Sequence, residues 1–169
     1  MTFPTNDFAD VMRSNKEFVR GFKHAELNGT ARKGLAIITC MDSRISPLAA
    51  VGMQAGDAKI LRNAGARVTD DVLRTLVLAS YLLGVFRVLV MPHTDCRMAL
   101  NDEASLHATI SDQFNIDTSS LEFHTVSNQR EALAQDVSLI RSFPLLQKGV
   151  SVAGAIYHVA TGWIEPIDC

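Results

Sequence analysis

The stretch Leu35-Ala36-Ile37-Ile38-Thr39-Cys40-Met41-Asp42-Ser43-Arg44 begins with aliphatic residues and ends with a thiol, an acid and an arginine. Its first half has the β-branched and aliphatic character of a buried strand, and its second half resembles the loop that follows one. A second stretch of this kind lies downstream, where the apolar run 86–91 precedes His93-Thr94-Asp95-Cys96. The sequence therefore predicts two thiols and an imidazole at the carboxyl ends of two strands.

The rest of the chain predicts an alternation of strands and helices. Further strands are predicted at 58–61 and 150–159, and helices from Thr5 or Asn6 to about His24 and at 47–51, 69–83, 98–114 and 128–143. This order predicts an α/β fold with a central, mainly parallel sheet of four or five strands, flanked by helices and joined by right-handed crossovers. If the second and third strands lie on opposite sides of the first, the two loops meet at the point where open sheets bind ligands.

Composition narrows the class of protein. A chain of 169 residues with 47% hydrophobic content suits a single domain covering residues 1–169. The net charge is −2 and the basic residues are scattered, which argues against binding to nucleic acid or to an anionic membrane. Without a long apolar run or a signal-peptide pattern, we expect a soluble, cytoplasmic protein. The odd number of cysteines favours free thiols, with Cys169 as a bystander.

Cys40, His93 and Cys96 make up a three-ligand set for Zn²⁺, and three protein ligands with an open fourth position are typical of catalytic zinc. A His-x-x-Cys pair alone is weak, but the addition of Cys40 from a neighbouring strand end strengthens the prediction. Asp42 is close enough in sequence to act as a fourth ligand or to accept a hydrogen bond from zinc-bound water. Arg44 would decide between these roles through a bidentate ion pair with Asp42; the alternative is a purely structural salt bridge.

Three motifs occur together and in a fixed order: Cys40-x-Asp42-x-Arg44, Arg62-Asn63-Ala64-Gly65 and His93-x-x-Cys96. Together they resemble the β-class carbonic anhydrases over roughly residues 35–96. The resemblance implies a zinc lyase, a carbonate dehydratase in which Cys40, His93 and Cys96 bind one Zn²⁺ per chain. It also implies that Asp42 and Arg44 form a catalytic dyad, and that zinc-bound hydroxide hydrates CO₂ reversibly to bicarbonate.

The same resemblance implies further roles around this centre. In some family members the counterpart of Asp42 closes onto zinc at lower pH, and the counterpart of Arg62 helps to hold bicarbonate at a noncatalytic site. Asp95 is a candidate for orienting the ligand loop from outside the ligand set. The family forms homodimers or larger homo-oligomers, so the aromatic first helix is expected to be exchanged with a partner subunit.

Two positions depart from the family pattern. Arg97 follows the second zinc cysteine, where the family usually has glycine, which is free to adopt a positive φ. Pro92 precedes the zinc histidine, where glycine or another histidine is common. Both are predicted to affect rate and specificity more than metal binding. Two alternative functions stay open: hydrolysis of carbon disulfide or carbonyl sulfide on the same zinc scaffold, and a catalytically silent zinc-binding regulatory protein.

Overall fold

A five-stranded sheet forms the centre of the computed structural model, which describes residues 2–169. Its strands are β1 (Leu35–Cys40), β2 (Ala58–Asn63), β3 (Arg87–Met91), β4 (Ser151–Tyr157) and β5 (Ile164–Ile167). They lie in the order β2-β1-β3-β4-β5; the first four are parallel, and β5 is antiparallel to β4. The predicted α/β class is confirmed, and β2 and β3 flank β1 as the position of the site requires.

Residues 2–169 contain six α-helices: α1 (Ala9–Arg20), α2 (Pro47–Ala50), α3 (Asp70–Leu82), α4 (Arg97–Leu100), α5 (Glu103–Phe114) and α6 (Gln129–Ser142). Of these, α1 has no buried residue. Asp70 and Asp71 place two carboxylates in the first turn of α3, where the helix dipole favours negative charge. Within residues 2–169, no helix has the length and apolar character needed to cross a bilayer.

The sheet is buried on both faces. Helices α3 and α6 cover one face, where the packed aliphatic side chains include Ile38, Val90, Leu76, Val137 and Ile140. The opposite face packs against α4, α5 and the loops around α2, through residues that include Ile37, Met91, Ile45, Met98 and Leu106. Since β1 is buried along its whole length, its carboxyl end is a well-fixed platform for the loop that follows.

The structure corrects three sequence predictions. The segment 98–114 forms two helices, because Asp102 caps the start of α5 by accepting a hydrogen bond from the Ser105 amide. The first helix ends at Arg20 instead of near His24, and Phe8 precedes it in place of a capping Thr5 or Asn6. The predicted strands do not include β5, which contains Glu165 and Pro166 and forms through pairing with β4.

Candidate metal centre

The three predicted ligands come together at the carboxyl end of the sheet. Cys40 is the last residue of β1, and His93 and Cys96 lie in the loop that follows the adjacent strand β3. Their ligand atoms all lie within 4.8 Å of one another. The residues are 5%, 1% and 3% exposed, respectively, so the three donors converge in an environment from which water is largely excluded.

The imidazole of His93 is oriented for metal binding. Its Nδ1 lies 2.8 Å from the carbonyl oxygen of Thr94, which requires that Nδ1 carry the hydrogen and donate it. Nε2 therefore presents its lone pair to the two sulfurs, and it is the only buried side-chain nitrogen or oxygen in residues 2–169 without a hydrogen-bond partner. Because buried polar atoms are nearly always paired, this atom indicates a ligand that the protein chain itself does not supply.

The contact between the Cys40 and Cys96 thiols shifts their pKa values in opposite directions. A hydrogen bond from Cys96 is the main cause that lowers the pKa of Cys40, while the same contact, followed by burial, raises the pKa of Cys96. The amide of Gly65 also donates to the Cys40 sulfur at 3.4 Å and favours the thiolate. Burial opposes a charged His93, but the nearby Cys40 sulfur and the Thr94 carbonyl together raise the pKa of this imidazole.

Asp42 and Arg44 form the predicted bidentate ion pair. Arg44 Nε lies 3.0 Å from Asp42 Oδ1, Arg44 Nη2 lies 2.7 Å from Oδ2, and the Arg44 amide donates to Oδ1 at 2.9 Å. These hydrogen bonds are the main reason that the pKa of Asp42 lies far below its ordinary value. Asp42 Oδ2 lies 3.7 Å from His93 Nε2, so an ionised carboxylate is held beside the ligand cluster.

Asp95 binds the other side of the same guanidinium. Its Oδ2 accepts from Arg44 Nη1 at 2.7 Å and its carbonyl accepts from Arg44 Nη2 at 3.2 Å. Asp95 has a φ of 58°, a left-handed conformation that Asp and Asn tolerate better than most residues. Arg44 therefore joins the loop after β1 to the loop after β3, and Asp95 contacts the Asp42–Arg44 ion pair through Arg44.

The motif Arg62-Asn63-Ala64-Gly65 covers the end of β2 and the start of the turn that follows it. Asn63 closes the turn, because its side chain accepts from the Arg67 amide at 2.9 Å and donates to the Arg67 carbonyl at 2.7 Å. Gly65 has a φ of 76°, and a Cβ there would lie 3.1 Å from that of Met98. Arg62 donates from all three guanidinium nitrogens to main-chain carbonyls at the end of β1 and in the loop after it, and bicarbonate binding by Arg62 stays a prediction.

The loop that carries His93 and Cys96 is supported by further residues, which no sequence motif indicated. Gln129, at the start of α6, donates from Nε2 to the His93 carbonyl at 2.8 Å. The Thr94 amide donates to the Tyr157 carbonyl, and the Tyr157 amide donates to the Pro92 carbonyl, both at 2.9 Å. These contacts continue the pairing of β3 with β4 beyond the strands, and they depend on tertiary packing alone.

The two departures from the family pattern cause no backbone strain. Arg97 is the exposed first residue of α4, and the positive φ in this loop belongs to Asp95. Pro92 is buried, and its carbonyl accepts a hydrogen bond from the Tyr157 amide, so the amide hydrogen that proline lacks is not needed here.

An open cleft of about 470 Å³ lies beside the end of β2. Arg62 and Asn63 line this cleft, but Cys40, His93 and Cys96 do not.

Comparison with known proteins agrees with this geometry. A family model described as carbonic anhydrase matches residues 35–164. The chain is 33% identical over 159 residues to β-carbonic anhydrase 1 of Mycobacterium tuberculosis, covering 94% of this chain and 96% of the relative. A crystal structure of carbonic anhydrase from Streptococcus mutans superposes with a TM-score of 0.89 at 33% identity, covering 99% and 100% of the two chains. A carbon disulfide hydrolase of Acidithiobacillus thiooxidans is 28% identical over 152 residues, covering 78% and 76% of the two chains.

Proposed function

The chain belongs to the β-carbonic anhydrase family, and on this premise we propose that it binds one Zn²⁺ per chain and catalyses the reversible hydration of CO₂ to bicarbonate. The observation that carries the proposal is the convergence of the Cys40, His93 and Cys96 ligand atoms within 4.8 Å. Two sulfurs and one imidazole nitrogen fit zinc, and the unpartnered His93 Nε2 supports a metal at this point. The same set leaves one coordination position open for chemistry.

Zinc, when bound, supplies a Lewis acid that makes hydroxide available near neutral pH. With the metal bound, Asp42 would accept a hydrogen bond from the hydroxide that attacks CO₂, so that a lone pair of the hydroxide oxygen faces the carbon. Arg44 keeps this carboxylate ionised and fixes its direction through the bidentate pair. Asp95 holds the far side of Arg44, and closure of Asp42 onto the metal at low pH stays a prediction.

The test is stopped-flow CO₂ hydration by protein of measured zinc content, from about pH 6.5 to 9, a range that spans the usual pKa of zinc-bound water. We expect activity that rises with pH and falls by about 10²-fold or more in Asp42→Ala. Asp112→Ala is the matched control, because Asp112 is an exposed carboxylate on α5 outside the site. A wild-type protein with full zinc occupancy and no hydratase activity would refute the proposal and favour the silent regulatory protein.

Carbon disulfide and carbonyl sulfide are the substrates to try in parallel. The hydrolase relative is 28% identical over 78% of this chain, whereas the carbonic anhydrase relative is 33% identical over 94%. We therefore place CO₂ first. Sulfide release by zinc-loaded protein in the absence of CO₂ hydration would reverse that order.

We also propose that the chain forms a homo-oligomer through its N-terminal segment. Residues 2–26 are all exposed, and α1 has no buried residue. Seven large apolar side chains are exposed in this segment: Phe3, Phe8, Val11, Met12, Phe18, Val19 and Phe22. An apolar surface of this kind is typical of a protein interface. Light scattering is expected to give at least a dimer for the full chain and a smaller species for Phe18→Ser combined with Phe22→Ser.

A further inference from the structure

Arg62 makes an unusual set of contacts for an exposed arginine. Its Nε donates to the Cys40 carbonyl at 2.9 Å, its Nη2 to the Asp42 carbonyl at 2.6 Å and its Nη1 to the Ile45 carbonyl at 3.3 Å. The three acceptors belong to one short segment, residues 40–45, which we call the Asp42 loop. In residues 2–169, no carboxylate forms an ion pair with Arg62, so carbonyl dipoles are its main partners.

We propose that Arg62 is a positioning residue that fixes the Asp42 loop, and with it the direction of the Asp42 carboxylate. This inference rests on the proposed function, since it assigns Arg62 a task in the same site. The Asp42 carbonyl and the Asp42 side chain start from the same residue. A donor that fixes the carbonyl therefore limits rotation of the backbone from which the carboxylate projects.

Apart from the side-chain link of Arg44 to Asp95, the other bonds of the Asp42 loop are local or lie at its ends. The Ile45 amide donates to the Asp42 carbonyl at 3.1 Å, which closes a turn within the loop itself. The Met41 amide donates to the Asn63 carbonyl at 2.9 Å and secures only the start of the loop. Arg62 alone reaches the beginning, the middle and the end of the loop, and hydrogen bonds from a charged donor are among the strongest.

The geometry requires a guanidinium. Its five N–H groups form a planar fork, so that three nitrogens reach three carbonyls at once. A lysine would place a single nitrogen in this position and satisfy only part of the set. Arg62 lies on β2 in register with Thr39 of β1, so the sheet holds the start of the side chain while the loop holds its end.

The experiment compares Arg62→Ala and Arg62→Lys with the wild type by hydrogen–deuterium exchange and by CO₂ hydration. Arg87→Ala is the matched control, because Arg87 is also a strand arginine that donates to a main-chain carbonyl, that of Lys33, at the other end of the sheet. In both Arg62 variants we expect faster exchange of the peptide covering residues 40–46, where the amides of Met41, Arg44 and Ile45 are hydrogen bonded. We also expect kcat to fall by about tenfold, with KM little changed.

Millimolar guanidinium provides a readout that a purely structural role would not move. It is expected to restore part of the activity of Arg62→Ala by entering the space beside the cleft, and to have no effect on Arg87→Ala. Unchanged exchange at residues 40–46 in both Arg62 variants would overturn the inference, as would a change confined to the bicarbonate dependence. If the wild type is inactive, the proposed function fails, but the exchange comparison still decides whether Arg62 fixes the loop.

Discussion

Replacing Asp95 with asparagine tests how much the Asp95–Arg44 ion pair contributes beside the Asp42–Arg44 pair. Asparagine tolerates the left-handed backbone at this position, so Asp95→Asn removes the charge without straining the loop. The Asp95 and Arg44 side chains are 62% and 45% exposed, whereas Asp42 is 19% exposed and holds Arg44 through both carboxylate oxygens. Because an exposed ion pair contributes little, we expect kcat/KM for CO₂ hydration to fall only about two- to fivefold.

Stopped-flow assays at low and at physiological ionic strength measure this effect. Salt screens an exposed pair, so the ratio of wild-type to Asp95→Asn activity is expected to shrink as ionic strength rises. Zinc content must stay equal to that of the wild type. A loss as large as that of Asp42→Ala, or a ratio independent of salt, would refute the reasoning and give Asp95 a direct part in the reaction.

Three further predictions concern metal, core and pH. Removing zinc with a chelator is expected to lower the thermal midpoint by about 2–4 °C for each kcal/mol of binding free energy lost, and added zinc to restore it; a midpoint indifferent to zinc would contradict the site. Ile140→Ala, at a fully buried residue, is expected to lower the free energy of unfolding by about 2–5 kcal/mol in urea. Leu139→Ala, at a residue that is 41% exposed, is expected to change the free energy of unfolding by about 0.5 kcal/mol or less. Equal losses in the two variants would contradict the assignment of Ile140, and not Leu139, to the core. The amide of Phe123 is the main cause that lowers the pKa of Glu103, so Glu103 stabilises the fold above its ordinary pKa of 4.5, and this contribution is lost as pH falls through the lowered value. The deficit of Glu103→Gln in urea unfolding is therefore expected at neutral pH and should shrink in acid; a deficit constant with pH would contradict this assignment.

The convergence of Cys40, His93 and Cys96 was predictable from sequence because the loops that carry these residues follow apolar runs that form strands. The order of the strands then brought together Cys40 and His93, which are more than fifty positions apart. β5 was not predictable, since Pro166 and Glu165 disfavour a strand locally and only pairing with β4 overrides that preference. The break before α5 depends on the capping side chain of Asp102, which a weak helical pattern concealed.

Hydrogen bonds from side chains to main-chain carbonyls cannot be predicted from the sequence pattern. Nothing in the residue type of Arg62 distinguishes an anion ligand from a donor to carbonyls of a loop about twenty residues away. Gln129 supports the His93 carbonyl in the same way, and its position at the start of α6 carries no pattern of its own. Such roles depend on loop conformation, which the spacing of motifs leaves undetermined.

The two edges of the sheet bear on how copies of this chain avoid aggregation. β5 forms one edge and contains Pro166, which has no amide hydrogen to offer an incoming strand. β2 forms the other edge and carries Lys59 and Arg62, whose charges disfavour strand-to-strand association between molecules. Neither edge is a good template for a further strand, so the folded chain should resist growth into fibrils even where its apolar N-terminal segment brings copies together.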